Sequence, residues 1–531
     1  MRRAFFFLPF LFIPLLSSCV RAPRAPQTLV LASKPDPSTL DPARAYDTTS
    51  INFVRVIYNG LVDYDDKAQI VPAVAQKWTV SPDGKTYTFT IRPKVRFHSG
   101  REVTAEDFRY SIERVLEPDT ASDGQSFYTM LDGATEWTKL DKKQRRATHV
   151  RGIRVLNPRT VSFTLVKPDA TFLNVLALPF GFVVPRESVE KLEAAGKTLS
   201  DNPNGCGPFK FVSWTHDAQL ELKKNADYYK PGLPRAEGIS LAIGGDETLH
   251  QMQFEMGDLD VAGDIPSPDF ARVTKDPKWQ PLISHAPMMD VRYLCMNTEV
   301  APFTDIRVRR AFNYAIDKQR LVQVQSGRVA PARGILPPGL AAYNPNLQSF
   351  AYAPDKARAL LKEAGADNLD LTLWASTTDG YDKVAQSIQQ DLRKVGVKVR
   401  IKLSNYKEIK TLAGKRKKIG LSILGWLQDY ADPANYLDVC FNGEKITESA
   451  SLNRAFYSNP KVNALLNTAA VEQNPTQRMK MYQQVEQMVV NDAPWVPLYH
   501  SERYIVTQPW VKGYKLHPAW SARYEYVEVN R

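Results

Sequence analysis

The chain has 531 residues, of which 43% are hydrophobic and 24% are charged, and its formal net charge is +12. These proportions are those of a globular protein and argue against a disordered chain, and the length suggests roughly two to four domains. The basic residues are scattered, and the one dense run, 415–418, is more typical of an exposed loop than of a nucleic-acid surface. We therefore expect no nucleic acid among the partners.

Residues 1–19 are typical of a lipoprotein export signal. A positively charged start precedes an apolar stretch, 4–16, which is shorter than the roughly 20 residues that a membrane-spanning helix needs. Small residues then lead to Cys19, and this pattern resembles a bacterial lipobox, in which the Cys is lipidated and becomes the new N-terminus. An ordinary signal peptide with a chance Cys is the alternative. Residues 20–27 are rich in Pro and predict an extended tether.

These features predict a protein of the cell envelope, lipid-anchored to a membrane on its periplasmic or extracellular face. No later segment is long and apolar enough to cross a membrane. After Cys19, three cysteines remain, Cys206, Cys295 and Cys440. In an oxidising compartment three thiols allow one disulfide and leave one thiol over, and the sequence does not choose among the three pairings.

Patterns of strands and helices alternate along the chain and predict a mixed α/β protein. Strands are predicted at 28–32, 78–80, 86–91, 160–165, 369–373, 397–403 and 419–424. Helices are predicted at 51–61, 104–115, 354–364, 381–395 and 474–491. A turn at 82–85 predicts an antiparallel hairpin, and the pattern Thr104-x-x-Asp107 predicts a helix start. The strand–helix–strand order over 369–403 predicts a parallel pair.

The segment 425–433 is the most informative stretch of the chain. It holds two carboxylates and two aromatic residues, and it directly follows the predicted buried strand 419–424, which Gly425 should end. Asp429 then lies just past a strand, beside a large ring. A carboxylate in an aromatic, partly dry pocket binds an ammonium group strongly, because the low local dielectric strengthens the pair. An exposed loop Asp is the plainer alternative, and Asp432-Pro433 is typical of a turn.

Short motifs in a fixed order connect this chain to a known family. They lie at 39–42, 58–62, 71–75, 81–89, 95–100, 104–108, 205–209, 297–298, 307–311, 315–318 and 425–433. Each motif is weak alone, but the colinear set from residue 28 to the end is specific. The chain resembles the family 5 solute-binding proteins of ABC importers, which include oligopeptide- and dipeptide-binding lipoproteins.

The resemblance implies an α/β fold of the two-lobe periplasmic-binding-protein type, of class II with three domains (cluster C), and a ligand cleft between the lobes. Domain I is expected to be split over 28–57, 183–287 and 500–531. Domain II is expected as an insertion, 58–182, and domain III, the second lobe, over 288–499. Two crossing segments would hinge the lobes so that they close over ligand.

The resemblance also implies a function as the substrate-binding lipoprotein of an ABC importer, a monomer that delivers peptides to permease subunits. In peptide-binding members an extended peptide lies between the lobes, and its α-ammonium meets the Asp of a Trp-x-x-Asp motif. That position is Asp429 here, and Trp426 and Tyr430 would shape the pocket. Backbone pairing and wet side-chain pockets would make binding tolerant of peptide sequence.

Other ligand-site residues are expected on the facing side of the cleft. Tyr46, Asp47 and Thr48 occupy the position of the edge strand that the family uses on the other lobe. Phe127 and Tyr128 fall near an aromatic wall of the inserted domain. The resemblance therefore implies that segments far apart in sequence meet around the ligand.

The chain departs from the family pattern in two places. Cys206 replaces a Thr in a Gly-Thr-Gly-Pro element, where a buried thiol and a disulfide are the two alternatives. Ile423 stands where some oligopeptide binders have an Arg that reaches the peptide carboxylate, so Lys415 or Arg416 would have to serve instead. Peptide length therefore stays open, and so do non-peptide ligands of the same fold, such as a nickel chelate, haem or glutathione.

The sequence offers little for an enzyme. Gly-Lys-Thr occurs at 84–86 and 196–198, but Thr79 and Lys191 stand where a phosphate-binding P-loop needs its first Gly. The seven scattered His offer no close-spaced ligand pair, so we expect no catalytic residues, no metal site and no cofactor. An exported lipoprotein hydrolase is the rival class, and incubation with peptides followed by a search for cleavage products would separate it from a binding protein.

Overall fold

The computed structural model describes residues 26–531 apart from Asp264 and Asp379. The predicted signal with Cys19 and most of the tether lie outside the described residues. Within the described part of the chain, no helix is both long enough and apolar enough to span a bilayer.

The elements alternate along the chain, which confirms the predicted mixed α/β class. The strands are β1 (Thr28–Ser33), β2 (Val62–Tyr64), β3 (Ile70–Pro72), β4 (Ala75–Val80), β5 (Thr86–Ile91), β6 (Ile153–Asn157), β7 (Thr160–Thr164), β8 (Phe209–Thr215), β9 (Gln219–Lys224), β10 (Gly238–Ile243), β11 (Val261–Ala262), β12 (Ile283–Pro287), β13 (Asp290–Met296), β14 (Val329–Pro331), β15 (Asp370–Ser376), β16 (Lys398–Ser404), β17 (Leu421–Leu427), β18 (Trp495–Thr507), β19 (Val511–Lys512) and β20 (Glu528–Val529). The α-helices are α1 (Thr48–Ile57), α2 (Ala105–Leu116), α3 (Ala134–Thr138), α4 (Lys142–Ala147), α5 (Phe172–Ala177), α6 (Arg186–Ala194), α7 (Glu247–Glu255), α8 (Phe270–Lys275), α9 (Ile306–Ala315), α10 (Lys318–Val324), α11 (Pro354–Glu363), α12 (Tyr381–Lys394), α13 (Tyr406–Ala413), α14 (Ala434–Phe441), α15 (Pro460–Val471) and α16 (Pro475–Asp492).

Three larger sheets organise the described chain. The first has the order β1-β10-β9-β8, in which β1 and β10 are parallel and the other pairs are antiparallel. The second is the antiparallel sheet β4-β5-β7-β6, which lies within the predicted insertion. The third has the order β11-β18-β13-β17-β15-β16, and β12 and β14 also pair with β18.

The long strand β18 joins two separate cores. Its first half pairs with β13, and its second half pairs with β12 and β11. Val496 of the first half packs in the core that contains Leu373 of β15. Ile505 of the second half packs in the core that contains Leu29 of β1. The chain therefore crosses between these two cores twice, once along β12–β13 and once along β18, and the two crossings are neighbours. The domain bounds derived from the family resemblance stay a prediction.

Most predicted elements are confirmed. The hairpin is formed by β4 and β5, with Trp78 paired to Phe89. Asp107 accepts a hydrogen bond from the Thr104 backbone N–H at 2.8 Å, and α2 follows. The parallel pair is formed by β15 and β16, which α12 connects.

Two predicted element ends are wrong. Helix α1 ends at Ile57 rather than near Leu61, because Gly60 forms a β-bridge with Phe182 and the chain is extended from Tyr58. Strand β17 runs through Gly425 to Leu427, because its pairing with β13 continues to the end of that strand. Gly425 therefore lies within β17, and a Cβ at this position would overlap the Arg292 side chain of β13.

The three described cysteines form no disulfide with one another. Cys206, Cys295 and Cys440 are all buried free thiols. Burial raises the pKa of the Cys206 and Cys295 thiols to about 12 and that of Cys440 well above its usual value. Such thiols are packed as small hydrophobic groups, which decides the alternative at Cys206 in favour of a buried thiol.

Candidate ligand-binding site

Asp429 lies two residues beyond β17, and its side chain is held on both sides. Its Oδ2 accepts a hydrogen bond from Asn435 Nδ2 at 3.0 Å, and its backbone N–H donates to Asn435 Oδ1 at 2.9 Å. The Trp426 indole N–H donates to the same Asn435 oxygen at 3.3 Å. Asn435 is buried at the start of α14 and thus orients both the carboxylate and the ring.

The second carboxylate of the segment has a structural role. Asp432 forms a two-pronged ion pair with Arg478 of α16, at 2.7 and 2.8 Å, and both side chains are buried. Its Oδ1 also accepts from the Ala434 backbone N–H at 2.9 Å, at the start of α14. Breaking a buried pair leaves an uncompensated charge, so this contact keeps the 429–433 segment in place. The turn was visible in the sequence, whereas its partner on α16 was not.

Tyr46 reaches Asp429 from the other side of the cleft. Its hydroxyl donates to Asp429 Oδ1 at 2.7 Å, although 383 residues separate the two. Burial of the hydroxyl and the neighbouring negative charge of Asp429 raise the pKa of Tyr46 far above its usual range, so the hydroxyl stays a donor.

The neighbours of Tyr46 belong to a helix start. Asp47 caps α1, where its carboxylate accepts from the Ser50 backbone N–H at 2.8 Å and from Ser38 Oγ at 2.5 Å. Thr48 is the exposed first residue of that helix. The structure thus brings Tyr46 to Asp429, while the carboxylate of Asp47 is engaged locally.

An aromatic chain links the parts of the site. Tyr46 packs on Phe180 with 5.7 Å between ring centroids, and Phe180 stacks on Phe127 at 6.0 Å. Phe127 meets Tyr430 edge-on at 6.5 Å. Phe180 was missed from the sequence, where it is one apolar residue among many. The related feature in the sequence is Gly124, since a Cβ at that position would overlap the Phe180 ring.

The other predicted wall residue, Tyr128, lies deeper. It is fully buried in the core of β5 and β7, and its hydroxyl donates to the Val175 carbonyl at 3.4 Å. Its place in the structure is therefore packing behind the wall that Phe127 and Phe180 form.

The 425–433 segment also contacts the remainder of the molecule. Gln428 Nε2 donates to the Pro518 carbonyl at 3.2 Å, and the Ala431 backbone N–H donates to Tyr64 Oη at 3.4 Å. A further backbone bond joins Ala170 to Ala470 at 2.9 Å. These contacts join the predicted domain III to residues of the predicted domains I and II.

Arg416, one of the two residues suggested as an anchor for the peptide carboxylate, already has acidic partners. Arg416 pairs with Glu299 at 2.9 Å and also with Glu448, so its charge is already matched. Ile423, at the position where the resemblance implies an Arg in some oligopeptide binders, is fully buried in the core that contains Leu373 of β15. Among the described residues, no group of three or more His, Cys, Asp or Glu side chains could hold a metal ion.

Comparison with known proteins identifies the family of this fold. The family described as bacterial extracellular solute-binding proteins, family 5 (middle), matches residues 69–448. Heme-binding protein A of Haemophilus influenzae is 32% identical over 508 residues, covering 92% of this chain and 90% of that protein. Di/tripeptide-binding protein 2 of Pseudomonas aeruginosa is 31% identical over 525 residues, covering 95% of both chains.

A solved relative supports the fold directly. The periplasmic binding protein DppA of Helicobacter pylori, in complex with the peptide STSA, has a TM-score of 0.76 and 26% sequence identity, covering 95% of this chain and 98% of that one. The predicted two-lobe binding-protein fold is thereby confirmed, and the rival hydrolase class is set aside, since these relatives are binding proteins. The chain belongs to the family 5 bacterial extracellular solute-binding proteins.

Proposed function

We propose that the protein is the substrate-binding component of an ABC importer, which captures peptides between its lobes and delivers them to permease subunits. The observation that carries the proposal is the Tyr46–Asp429 hydrogen bond at 2.7 Å, which joins the two sides of the cleft at a partly buried carboxylate. The relatives named as peptide-binding proteins support the same ligand class.

Asp429 is the residue that recognises the peptide α-ammonium. Asn435 holds one carboxylate oxygen, and the other oxygen faces Tyr46, whose hydroxyl donates where the ammonium would donate. A primary ammonium offers three donors, so it can bind Asp429 in place of the hydroxyl or beside it. The rings of Phe127, Phe180 and Tyr430 line the approach and lower the local dielectric, which strengthens the charge pair.

Ligand binding would favour the closed form because the ligand touches both lobes only there. The two crossings, β12–β13 and β18, provide the connection about which the lobes would move. A peptide backbone presents the same donors and acceptors in every sequence, so pairing along it gives affinity with little sequence preference.

The location of the protein follows from its first residues. Lipidation at Cys19 would hold the mature monomer at the membrane, and the Pro-rich segment 20–27 would serve as the tether that lets the lobes reach the permease. A single acyl chain gives only marginal membrane binding, so stable anchoring would need a second lipid or charge signal.

Calorimetry with purified protein tests the ligand class. Trialanine should bind, and N-acetyl-trialanine should bind roughly ten- to a hundredfold more weakly, because a charge-assisted hydrogen bond is worth about 1.5–3 kcal/mol. Haem, a nickel chelate and glutathione are measured in parallel. If one of these binds and no peptide of a mixed library does, the family assignment stands and the peptide proposal is wrong. Equal affinities for free and acetylated peptide would remove Asp429 as the ammonium site.

A further inference from the structure

A second charged side chain, Arg292, lies on the face of β17 that leads to Asp429. Arg292 is paired across the sheet with Gly425 of β17 and with Tyr499 of β18. A Cβ built on Gly425 would overlap Arg292 Nη1 and would lie 2.9 Å from its Cδ, so a larger residue at 425 would force the Arg292 side chain out of its present position. The guanidinium therefore lies directly over the backbone of β17.

This face of β17 is closed at one end and open at the other. Ile423 is fully buried, whereas Leu427, which side-chain alternation places on the same face, is 49% exposed. Arg292 lies between them, over Gly425, and its side chain is 23% exposed. The guanidinium thus forms the boundary between the apolar core and the open end of the strand, and Asp429 lies two residues beyond that end.

Asp290 does not occupy all the N–H donors of the Arg292 guanidinium. Among the described residues its closest carboxylate is Asp290, with 3.3 Å between Nη2 and Oδ2. That carboxylate also accepts hydrogen bonds from the Ser501 backbone N–H at 2.8 Å and from Ser501 Oγ at 2.7 Å. The Tyr381 ring lies 5.9 Å from Arg292 Cζ and borders the same space. A guanidinium carries five N–H donors in a fixed fork that suits a carboxylate, so this set leaves room for another anion.

The short chain path between the Arg292 position and Asp429 is compatible with a short peptide. The four-residue step from Gly425 to Asp429 spans at most roughly 13 Å of extended chain. An extended peptide advances about 3.4 Å per residue, so two or three residues separate an ammonium from a carboxylate by roughly 7–10 Å. Both ends of such a ligand can therefore be held by one lobe.

We propose that Arg292 binds the α-carboxylate of the peptide whose ammonium Asp429 holds, and that the site prefers peptides of about two or three residues. This inference rests on the proposed function and narrows its ligand class. It replaces Lys415 and Arg416 as the expected carboxylate anchor, and it explains why β17 carries glycine at position 425.

Calorimetry with trialanine and trialanine amide tests the contact. Wild type should bind the amide roughly ten- to a hundredfold more weakly, because a charge-assisted pair is lost. In Arg292→Met, which removes the charge and keeps an apolar side chain, trialanine should bind about as weakly as its amide does. An amide penalty of the same size in wild type and variant would overturn the proposal.

N-acetyl-trialanine tests the Asp429 contact separately from the Arg292 contact. In Arg292→Met, acetylation should still weaken binding, because Asp429 is unchanged. If acetylation matters and amidation does not, Arg292 is excluded while the proposed function stands. If acetylation has no effect on wild type, Asp429 is not the ammonium site, and if no peptide binds at all, the proposed function itself fails. Arg416→Met is the matched control, because that arginine is paired with Glu299 and Glu448, and it should keep the wild-type amide penalty.

A length series on wild type does not depend on how a variant folds. Dialanine or trialanine should bind most tightly, and pentaalanine should bind at least about tenfold more weakly, since its two ends cannot both be held in an extended form. Pentaalanine that binds as tightly as trialanine and is insensitive to amidation would overturn the proposal.

Discussion

At the scale of single residues, the chemistry of the site depends on how one carboxylate is oriented. Asn435 holds both the backbone and the side chain of Asp429, and the Trp426 indole holds Asn435 in turn. The carboxylate is thus preorganised before ligand arrives, and less ordering entropy is lost on binding. Tyr46 completes the arrangement from the facing side.

Asp429→Asn keeps the shape of this side chain and removes its charge. Affinity for trialanine should fall roughly ten- to a hundredfold, and affinity for N-acetyl-trialanine should change little, because only the free ammonium uses the charge. Calorimetry on both peptides measures the effect. Asp370→Asn is the control, since that half-exposed carboxylate lies at the start of β15, the end of the strand away from Ser376, and pairs with Arg400 on the surface. An equal loss for both peptides would show that shape rather than charge was disturbed.

At the scale of elements, helix α16 holds two loops of the predicted second lobe. Arg478 pairs with Asp432 in the segment after β17, and Glu486 accepts from the backbone N–H groups of Ile335 and Leu336 at 2.8 and 2.9 Å. Both contacts come from the buried side of one helix. Arg478 and Glu486 therefore have structural roles although they are charged. A pattern of apolar residues alone would not have placed them on the buried side of α16.

Arg478→Met should destabilise the protein by about 3–5 kcal/mol, because it leaves the buried Asp432 carboxylate without its partner. Urea denaturation measures the loss. Adding Asp432→Asn to the same chain should recover part of the stability, since the remaining buried charge is removed. If the double variant is no more stable than Arg478→Met, the loss comes from packing of the arginine rather than from the unpaired charge.

Glu486 predicts a pH dependence of stability. Burial raises its pKa to about 7, and the donors Leu336 and Ile335 offset only part of that effect. Because the folded state holds the proton more tightly than the unfolded state, whose carboxyl titrates near 4.5, stability should fall as pH rises from about 4.5 to about 7. The lost contribution is about 3 kcal/mol at 1.36 kcal/mol per pKa unit.

Denaturation midpoints of wild type and Glu486→Gln across this pH range measure the effect. Glutamine keeps an oxygen for the two backbone donors and does not titrate. Wild type should therefore lose stability relative to Glu486→Gln as the pH rises from about 4.5 to about 7. A difference that stays constant from pH 4.5 to 8 would exclude Glu486 as the titrating group.

At the scale of the whole molecule, the long strand β18 connects cores that would move relative to each other. Its two halves pair with β13 and with β12, so the two crossings are hydrogen-bonded neighbours. In two-lobe proteins, hinge closure around a ligand takes place at a few residues of such crossings.

Trialanine should compact the wild-type protein in solution. Closure brings Asp429 against Tyr46, so the radius of gyration from small-angle scattering should decrease when ligand is added. Asp429→Asn should compact less than wild type at a peptide concentration that only just saturates wild type, because its affinity is expected to be roughly ten- to a hundredfold weaker. If no peptide, haem or chelate changes the radius of gyration, the closure mechanism is wrong for this chain.

Cys19→Ser should release the protein from membranes into the soluble exported fraction, because the thiol is the expected site of the lipid. Fractionation of cells that express each form measures the distribution. Retention of the variant in the membrane fraction would contradict anchoring at Cys19. A wild-type protein already in the soluble fraction would favour the ordinary signal peptide.

The sequence by itself determined the local elements and the family. Apolar periodicity located the strands and helices, and the order of short motifs identified a solute-binding protein with Asp429 in a recognisable place. Periodicity is a local signal that depends on residues within one element, and the family signal is the order of many such local patterns along the whole chain. The element ends that were wrong, at Gly60 and Gly425, depend instead on a neighbour from elsewhere in the chain, Phe182 and Arg292.

Only the tertiary structure decided which residues meet around Asp429. Tyr46 is 383 residues away, and the partner of Asp432 lies 46 residues further along, on a helix whose periodic pattern shows which face is buried but not what it touches. Arg292 is a further example, because the sequence shows only a basic residue within a strand. The sheet order places that residue over Gly425. Periodicity encodes burial, whereas the pairing of buried faces and charges arises from packing the whole chain.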